Sequence, residues 1–296
     1  MNAVSSSTGH PASSIAADAS GAAGGWRRAA LYALCQRQPL AKVEAVRALH
    51  ARATAGDASG WQPQWTLDAV PDLPGRPARP ALVEPRRLER RGMGTAEGRA
   101  VLLHALAHIE FNAINLALDA LWRFPDMPES FYGDWLKVAV EEAHHFSLLQ
   151  ARLADYGYAY GDFPAHDGLW DMCERTRDDV LARMALVPRT LEARGLDASP
   201  PIRARLKQAG DDASAAVLDV ILRDEVGHVR IGNRWFRHLC AERGLDPHVA
   251  WRRLAEAYHA PRLRGPFNFD ARRAAGFDEV ELAALAANVD AGSDGA

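Results

Sequence analysis

Residues 134–146, DWLKVAVEEAHHF, and residues 221–236, ILRDEVGHVRIGNRWF, decide the fold. Each carries Glu-x-x-His, as Glu142/His145 and Glu225/His228, and each is preceded by a lone glutamate, Glu110 or Glu192, 32 or 33 residues earlier. At about 1.5 Å of rise per helical residue, such a gap fits half a helix out, a turn and half a helix back, so both halves return to one level. Two helical hairpins packed face to face then bring four carboxylates and two imidazoles together. That is the ligand set of a carboxylate-bridged di-iron or di-manganese site.

Facing separates these acids from ordinary surface charge, because a solvated glutamate lies opposite the apolar stripe of its helix. Leu103, Leu106, Ala107, Ala113 and Ile114 recur at helical spacing around Glu110; Trp135, Val138, Ala139, Phe146 and Leu149 surround Glu142 and His145. Glu141 and His144 share a face with Asp134 and Lys137, which makes the later pair the better choice. Leu218, Ile221, Val229, Trp235 and Phe236 frame Glu225 and His228, and Leu181, Met184, Ala185 and Pro188 lie on the side of Glu192. Spacing of i, i+3 puts each Glu and His about one turn apart on one face. Pro188 cannot donate its helical hydrogen bond, which predicts a kink there.

Burying one unpaired carboxylate costs several kcal/mol, and four together also repel. Two divalent cations would cancel that charge while neutral histidines complete the coordination. Oxygen-rich ligation with one imidazole per metal and no thiolate favours two iron ions, with manganese as the alternative and zinc as an adventitious occupant. Glu141 and Asp224 each precede a ligand glutamate. A step of roughly 100° around the helix turns them toward the outer nitrogen of a histidine on a neighbouring helix, the acceptor that metal-bound histidines need.

The chain has 296 residues, 48% of them hydrophobic and 25% charged, enough for one substantial core plus appendages. A net charge of -3 gives no global attraction to nucleic acid or to an anionic membrane. Three widely spaced cysteines, Cys35, Cys173 and Cys240, build neither a disulfide framework nor a zinc ribbon. With no signal-peptide pattern and no apolar run of membrane-spanning length, the expected location is cytoplasmic, with no membrane partner.

The expected fold class is all-α. Residues 1–25, rich in Ala, Ser and Gly, read as a disordered leader; 26–94 as an N-terminal helical segment, broken at Pro39, and a Pro/Arg-rich wrap; 95–245 as the bundle; 246–296 as a C-terminal cap and tail. The four bundle helices are expected at about 95–122, 128–156, 169–194 and 211–242, with Thr95 capping the first and Gly195 ending the third.

The stretches EGRAVLLHALAHIEFNAI (97–114), DWLKVAVEEAHHF, YGDFPAHDGLW (160–170), RMALVPRTLEARGLD (183–197), ILRDEVGHVRIGNRWF and PRLRGPFN (261–268) resemble the DUF455 family of ferritin-like proteins over about residues 76–285. The resemblance implies a ferritin-like four-helix bundle with additional N- and C-terminal helices and extended segments. It also implies Glu110, Glu142, His145, Glu192, Glu225 and His228 as ligands, the set chosen from facing alone.

The leading functional expectation is an oxidoreductase that activates O2 to hydroxylate or oxidise a small organic substrate. Without a flavin motif or an iron–sulfur cysteine set, electrons must come from an external donor. A second reading is rubrerythrin-like peroxide reduction or ferroxidase activity; a third is a non-enzymatic, metal-stabilised binding module. His104, His108 and His144 read as core or surface histidines. His166, in an aromatic loop, and Arg262, Arg264 and Asn268 are candidates for lining a substrate pocket. The Arg-rich segment 76–99 reads as a solvated face before it reads as an RNA contact, because no aromatics interleave it.

Overall fold

The structure, a computed structural model, describes residues 25–56, 60–68, 70–88 and 91–293. The expected disordered leader therefore lies outside the described residues, apart from Gly25, which opens the first helix. Helices dominate: α1 Gly25–Cys35, α2 Pro39–Thr54, α3 Ala96–Arg123, α4 Glu129–Asp155, α5 Gly168–Arg175, α6 Val180–Leu186, α7 Ala193–Gln208, α8 Asp212–Glu242, α9 Pro247–Ala257, α10 Phe269–Ala274 and α11 Glu279–Ser293. A π-helical turn, Val187–Glu192, joins α6 to α7. Among the described residues the β-pairing is one bridge, Leu82 to Ala165, so the chain is all-α.

Two compact units divide the chain, one comprising residues up to Pro77 together with Ala117–Val140, the other Ala78–Leu116 together with Glu141–Ala296. In the first unit, Pro39 occupies the opening turn of α2, where its missing N–H costs nothing. Arg27 is buried and donates to the carbonyls of Leu121, Trp122, Gln62, Pro63 and Trp65. Helix ends leave carbonyls without intrahelical partners, and this guanidinium satisfies two of them at the end of α3. Trp61 stacks on Tyr132 and meets Trp26 edge-on, which closes that core.

The second unit holds every candidate ligand. Thr95 Oγ1 accepts from the Gly98 backbone N–H at 3.0 Å and starts α3. Asp211 accepts from Ser214 N–H at 3.0 Å and starts α8. α7 packs along α8, with Ala193, Leu196 and Val229 in one apolar cluster with Ala275, Phe277 and Leu282 from the C-terminal segment. Helix α3 is long and apolar enough to cross a membrane by composition alone, yet 72% of its apolar window is buried inside the protein. It is a core helix.

The third expected helix, 169–194 with a stop at Gly195, needs correction. It is four pieces, α5, α6, the π turn and the start of α7, and helix continues through Gly195 to Gln208. Burial of Ala193 and Leu196 against α8 overrides the local stop signal. Prolines 200 and 201 lie inside α7. Pro200 cannot donate to the Leu196 carbonyl, and the Asn268 side-chain amide donates to it instead at 3.2 Å. Pro188 likewise cannot bond Met184, and the chain answers with the wider π turn rather than a simple kink.

Candidate metal centre

Five of the six predicted side chains sit on three long helices as the spacing requires: α3 supplies Glu110, α4 supplies Glu142 and His145, and α8 supplies Glu225 and His228. The π turn ends on Glu192. Glu110, Glu142, His145, Glu225 and His228 are all at most 8% exposed. Glu141 is half-buried and His144 exposed, so the inward face of α4 is the one carrying Glu142 and His145.

Five of the six converge in two overlapping trios, and Glu192 belongs to neither. Donor atoms of Glu110, Glu142 and His145 lie within 4.8 Å of one another, and so do those of Glu142, Glu225 and His228. Glu142 belongs to both. Its Oε2 stands 3.3 Å from His145 Nδ1 and its Oε1 stands 2.9 Å from His228 Nδ1. Glu110 Oε2 is 3.4 Å from His145 Nδ1, and Glu225 Oε1 is 3.9 Å from His228 Nδ1. Both histidines thus turn the same nitrogen inward.

The outer nitrogens are taken crosswise. His145 Nε2, on α4, meets Asp224 Oδ2 of α8 at 3.1 Å, while His228 Nε2, on α8, meets Glu141 Oε2 of α4 at 2.9 Å. An acid on each outer nitrogen fixes the ring and leaves Nδ1 with its lone pair directed inward.

Inside the cluster hydrogen bonding is incomplete. Five buried atoms are under-satisfied: Glu192 Oε2 and Glu225 Oε2 have no hydrogen-bond partner, and Glu110 Oε2, Glu142 Oε1 and His228 Nδ1 have only one another and His145 within reach. Each such atom ordinarily costs about 1–3 kcal/mol, more if charged, so five in one place is a feature that needs a cause. No lysine or arginine forms an ion pair with Glu110, Glu142, Glu192 or Glu225 among the described residues. Oxygen donors with one inward imidazole nitrogen per trio, and no sulfur, fit divalent iron or manganese.

Electrostatics point the same way. Burial, then Glu142, pushes the Glu110 carboxyl well above the usual range, and burial, then Glu225, does the same to Glu192. Burial also raises Glu225. Desolvation would raise Glu142 as well, but the His228 charge and hydrogen bonds from both histidines hold it well below. Against burial, hydrogen bonds to Glu110 and Glu142 lift His145 to about 11; Glu142, then Glu141, lifts His228. Carboxylates this deeply desolvated keep their charge only where positive charge is supplied, by protons or by cations.

The π turn is seated by a close approach. A Cβ on Gly232 would lie 2.5 Å from Pro188 Cβ, so the glycine of α8 is what admits the turn that carries Glu192. Thr190 Oγ1 donates to the Ala185 carbonyl at 2.7 Å and accepts from Trp251 Nε1 at 3.0 Å, which ties the turn to α9.

A cavity of about 570 Å³ opens beside the cluster, reaching Glu110, Glu192 and Glu225, with an apolar lining that includes Leu106, Ile109, Leu191, Leu218 and Ile221. Residues Pro261 and Leu263 to Phe267 form one wall. His166 and Arg264 line it, as the sequence suggests. Arg262 stands outside it, in a hollow shared with Arg194, Pro261 and Arg264. Asn268 caps α10 by accepting from Ala271 N–H and donates to the Leu196 carbonyl that Pro200 leaves free, and it is not among the residues lining this cavity. Arg194, two residues after Glu192, was missed; its only signal was that proximity. His104 and His108 are buried, His104 Nε2 accepting from Gly161 N–H and His108 bonding Tyr160, Asn112 and the His166 carbonyl.

Residues 35–283 match the family described as "Protein of unknown function (DUF455)". The chain is also 50% identical over 213 residues to an uncharacterized protein of Haemophilus influenzae, an alignment covering 70% of this chain and 74% of that one. No solved structure matches it.

Proposed function

The chain belongs to the DUF455 family, whose description carries no activity, and we propose from its site that it is a di-iron carboxylate oxidoreductase which uses O2 to hydroxylate or oxidise an organic substrate. α3, α4, the run from α6 through the π turn into α7, and α8 are read as the four helices of a ferritin-like bundle within residues 95–245, flanked by an N-terminal segment, 26–94, and a C-terminal cap, 246–296. Glu110 and His145 would hold one ion and Glu192, Glu225 and His228 the other, with Glu142 available to both. Manganese is the alternative metal, and zinc an adventitious occupant.

The observation that carries this reading is Glu142, whose two oxygens each face the inward nitrogen of a different Glu-x-x-His histidine. Bound iron supplies O2 activation and electron transfer; the residues supply geometry. Asp224 and Glu141 orient the rings and raise their basicity. The largely apolar cavity beside the carboxylates offers room for an organic molecule, which favours substrate oxidation over ferroxidase chemistry. Cys35, Cys173 and Cys240 are free thiols, so electrons are assigned to a separate donor.

Metal analysis of purified protein tests the assignment. Wild type should carry about two ions per chain, and Glu142→Ala or Glu225→Ala fewer than one, with near-ultraviolet absorption developing when reduced wild type meets O2. Undiminished metal in both variants overturns the ligand set. Two irons with no O2 consumption would leave a metal-stabilised binding module.

A further inference from the structure

We infer that the cavity takes an amphipathic anion, its apolar body lying toward the carboxylate cluster and its carboxylate or phosphate head held at the rim by Arg194, Arg262 and Arg264. This rests on the cavity being the substrate site of the proposed oxidase.

Rim and depth differ in charge. Arg194 and Arg264 line the mouth, and with Pro261 they continue into the hollow that includes Arg262. All three arginines are exposed, and none forms an ion pair among the described residues. Several other arginines of this unit are engaged, Arg272 with Asp197, Arg203 with Asp219, Arg223 with Asp224 and Arg189 with Glu281. Asp197, the acid that also lines the cavity, is held by Arg272 at 2.5 Å and does not neutralise the rim. Three guanidiniums on one mouth therefore present uncompensated positive charge, in the fork geometry that suits carboxylate and phosphate oxygens.

At the inner end, where Glu110, Glu192 and Glu225 face the cavity, the positive excess of the rim is missing, because the cations of the proposed site are balanced by the carboxylates. Attraction for an anionic group is therefore strongest at the rim, and an apolar body is best desolvated along the aliphatic walls, which sets the orientation of the guest: head out, tail in. Between the two ends the walls are aliphatic. Ile109, 43% exposed on the face of α3 beside Glu110, is an otherwise costly exposed side chain that becomes cavity wall. The carbon presented to the carboxylate cluster is then one remote from the head.

Calorimetric titration of the purified full-length protein provides the test, with decanoate, decyl phosphate, decanol, inorganic phosphate and a short oligouridine RNA as probes. Decanoate or decyl phosphate should saturate at one per chain, the tighter of the two naming the head, and decanol should bind at least roughly tenfold more weakly. Each added methylene should tighten binding roughly three- to fourfold until the cavity is full. The double variant Arg194→Ala/Arg264→Ala should lower affinity for the anions roughly tenfold or more and leave decanol unchanged, and Ile202→Trp should weaken all three alkyl probes. Equal affinity for decanol and the anions, insensitivity to the double variant, or binding of inorganic phosphate or RNA in preference to the alkyl anions would overturn the proposal. Because binding rather than turnover is read, Glu142→Ala that loses metal but still binds the alkyl anion keeps this inference separate from the metal assignment.

Discussion

Glu141 and Asp224 are the most informative single residues outside the inner cluster, because each accepts from a histidine on the opposite helix. Desolvation works against the charged form of Asp224, yet hydrogen bonds from Arg223 and His145 hold its carboxyl down at about 2. It therefore remains an acceptor across the whole working pH range. Replacing either acid by its amide, Glu141→Gln or Asp224→Asn, should leave the fold intact and lower metal affinity about 10- to 100-fold, as read by competition with a chelator. Affinity equal to wild type in both variants would mean that neither acid orients its ring. The residue pattern made this pairing readable in advance, since one step along a helix from each Glu-x-x-His glutamate reaches an acid aimed sideways.

Elements divide into those the sequence announces and those that depend on contacts it does not print. Helices α3, α4 and α8 follow from apolar spacing and, for α3, from the cap at Thr95, and their observed bounds fall within a residue or two of expectation. The segment from Gly168 to Gln208 does not, because its course is set by partners far away in sequence: Gly232 making room for Pro188, Asn268 bonding the carbonyl that Pro200 leaves free, and α8 burying Leu196 beyond an apparent glycine stop. Asp211 offers a direct test of element stability. It caps α8 and also accepts from Tyr156 Oη at 2.6 Å and from Arg152 at 3.0 Å. Burial opposes its ionisation, but Ser214 and Tyr156 hold its carboxyl below the ordinary 3.8. A folded value below the unfolded one contributes stability that is complete above pH 3.8 and is lost as pH falls through the depressed value. Asp211→Ala should therefore cost about 1–2 kcal/mol at neutral pH in denaturant melts, with the deficit shrinking on acidification; a deficit independent of pH would mean that the carboxylate charge plays no part.

For the whole molecule, the question is what compensates four carboxyl groups in one core. Metal at a hundredfold excess over its dissociation constant would stabilise the folded chain by about 2.7 kcal/mol per site. Chelation followed by calorimetry should lower the melting temperature by roughly 5 °C or more, and readdition of ferrous or manganous ion should restore it. An unchanged melting temperature would assign the balancing charge to protons on His145, His228 and the raised carboxyls. The crossed pairing of Glu141 with His228 and of Asp224 with His145 has a further consequence for biogenesis. As the nascent chain leaves the ribosome, the N-terminal hairpin emerges with the imidazole of His145 still lacking its acidic brace, which lies some eighty residues downstream. On the proposed ligand set, a chain that stops short of α8 lacks this brace together with Glu225 and His228, so the site is complete only once that helix is made.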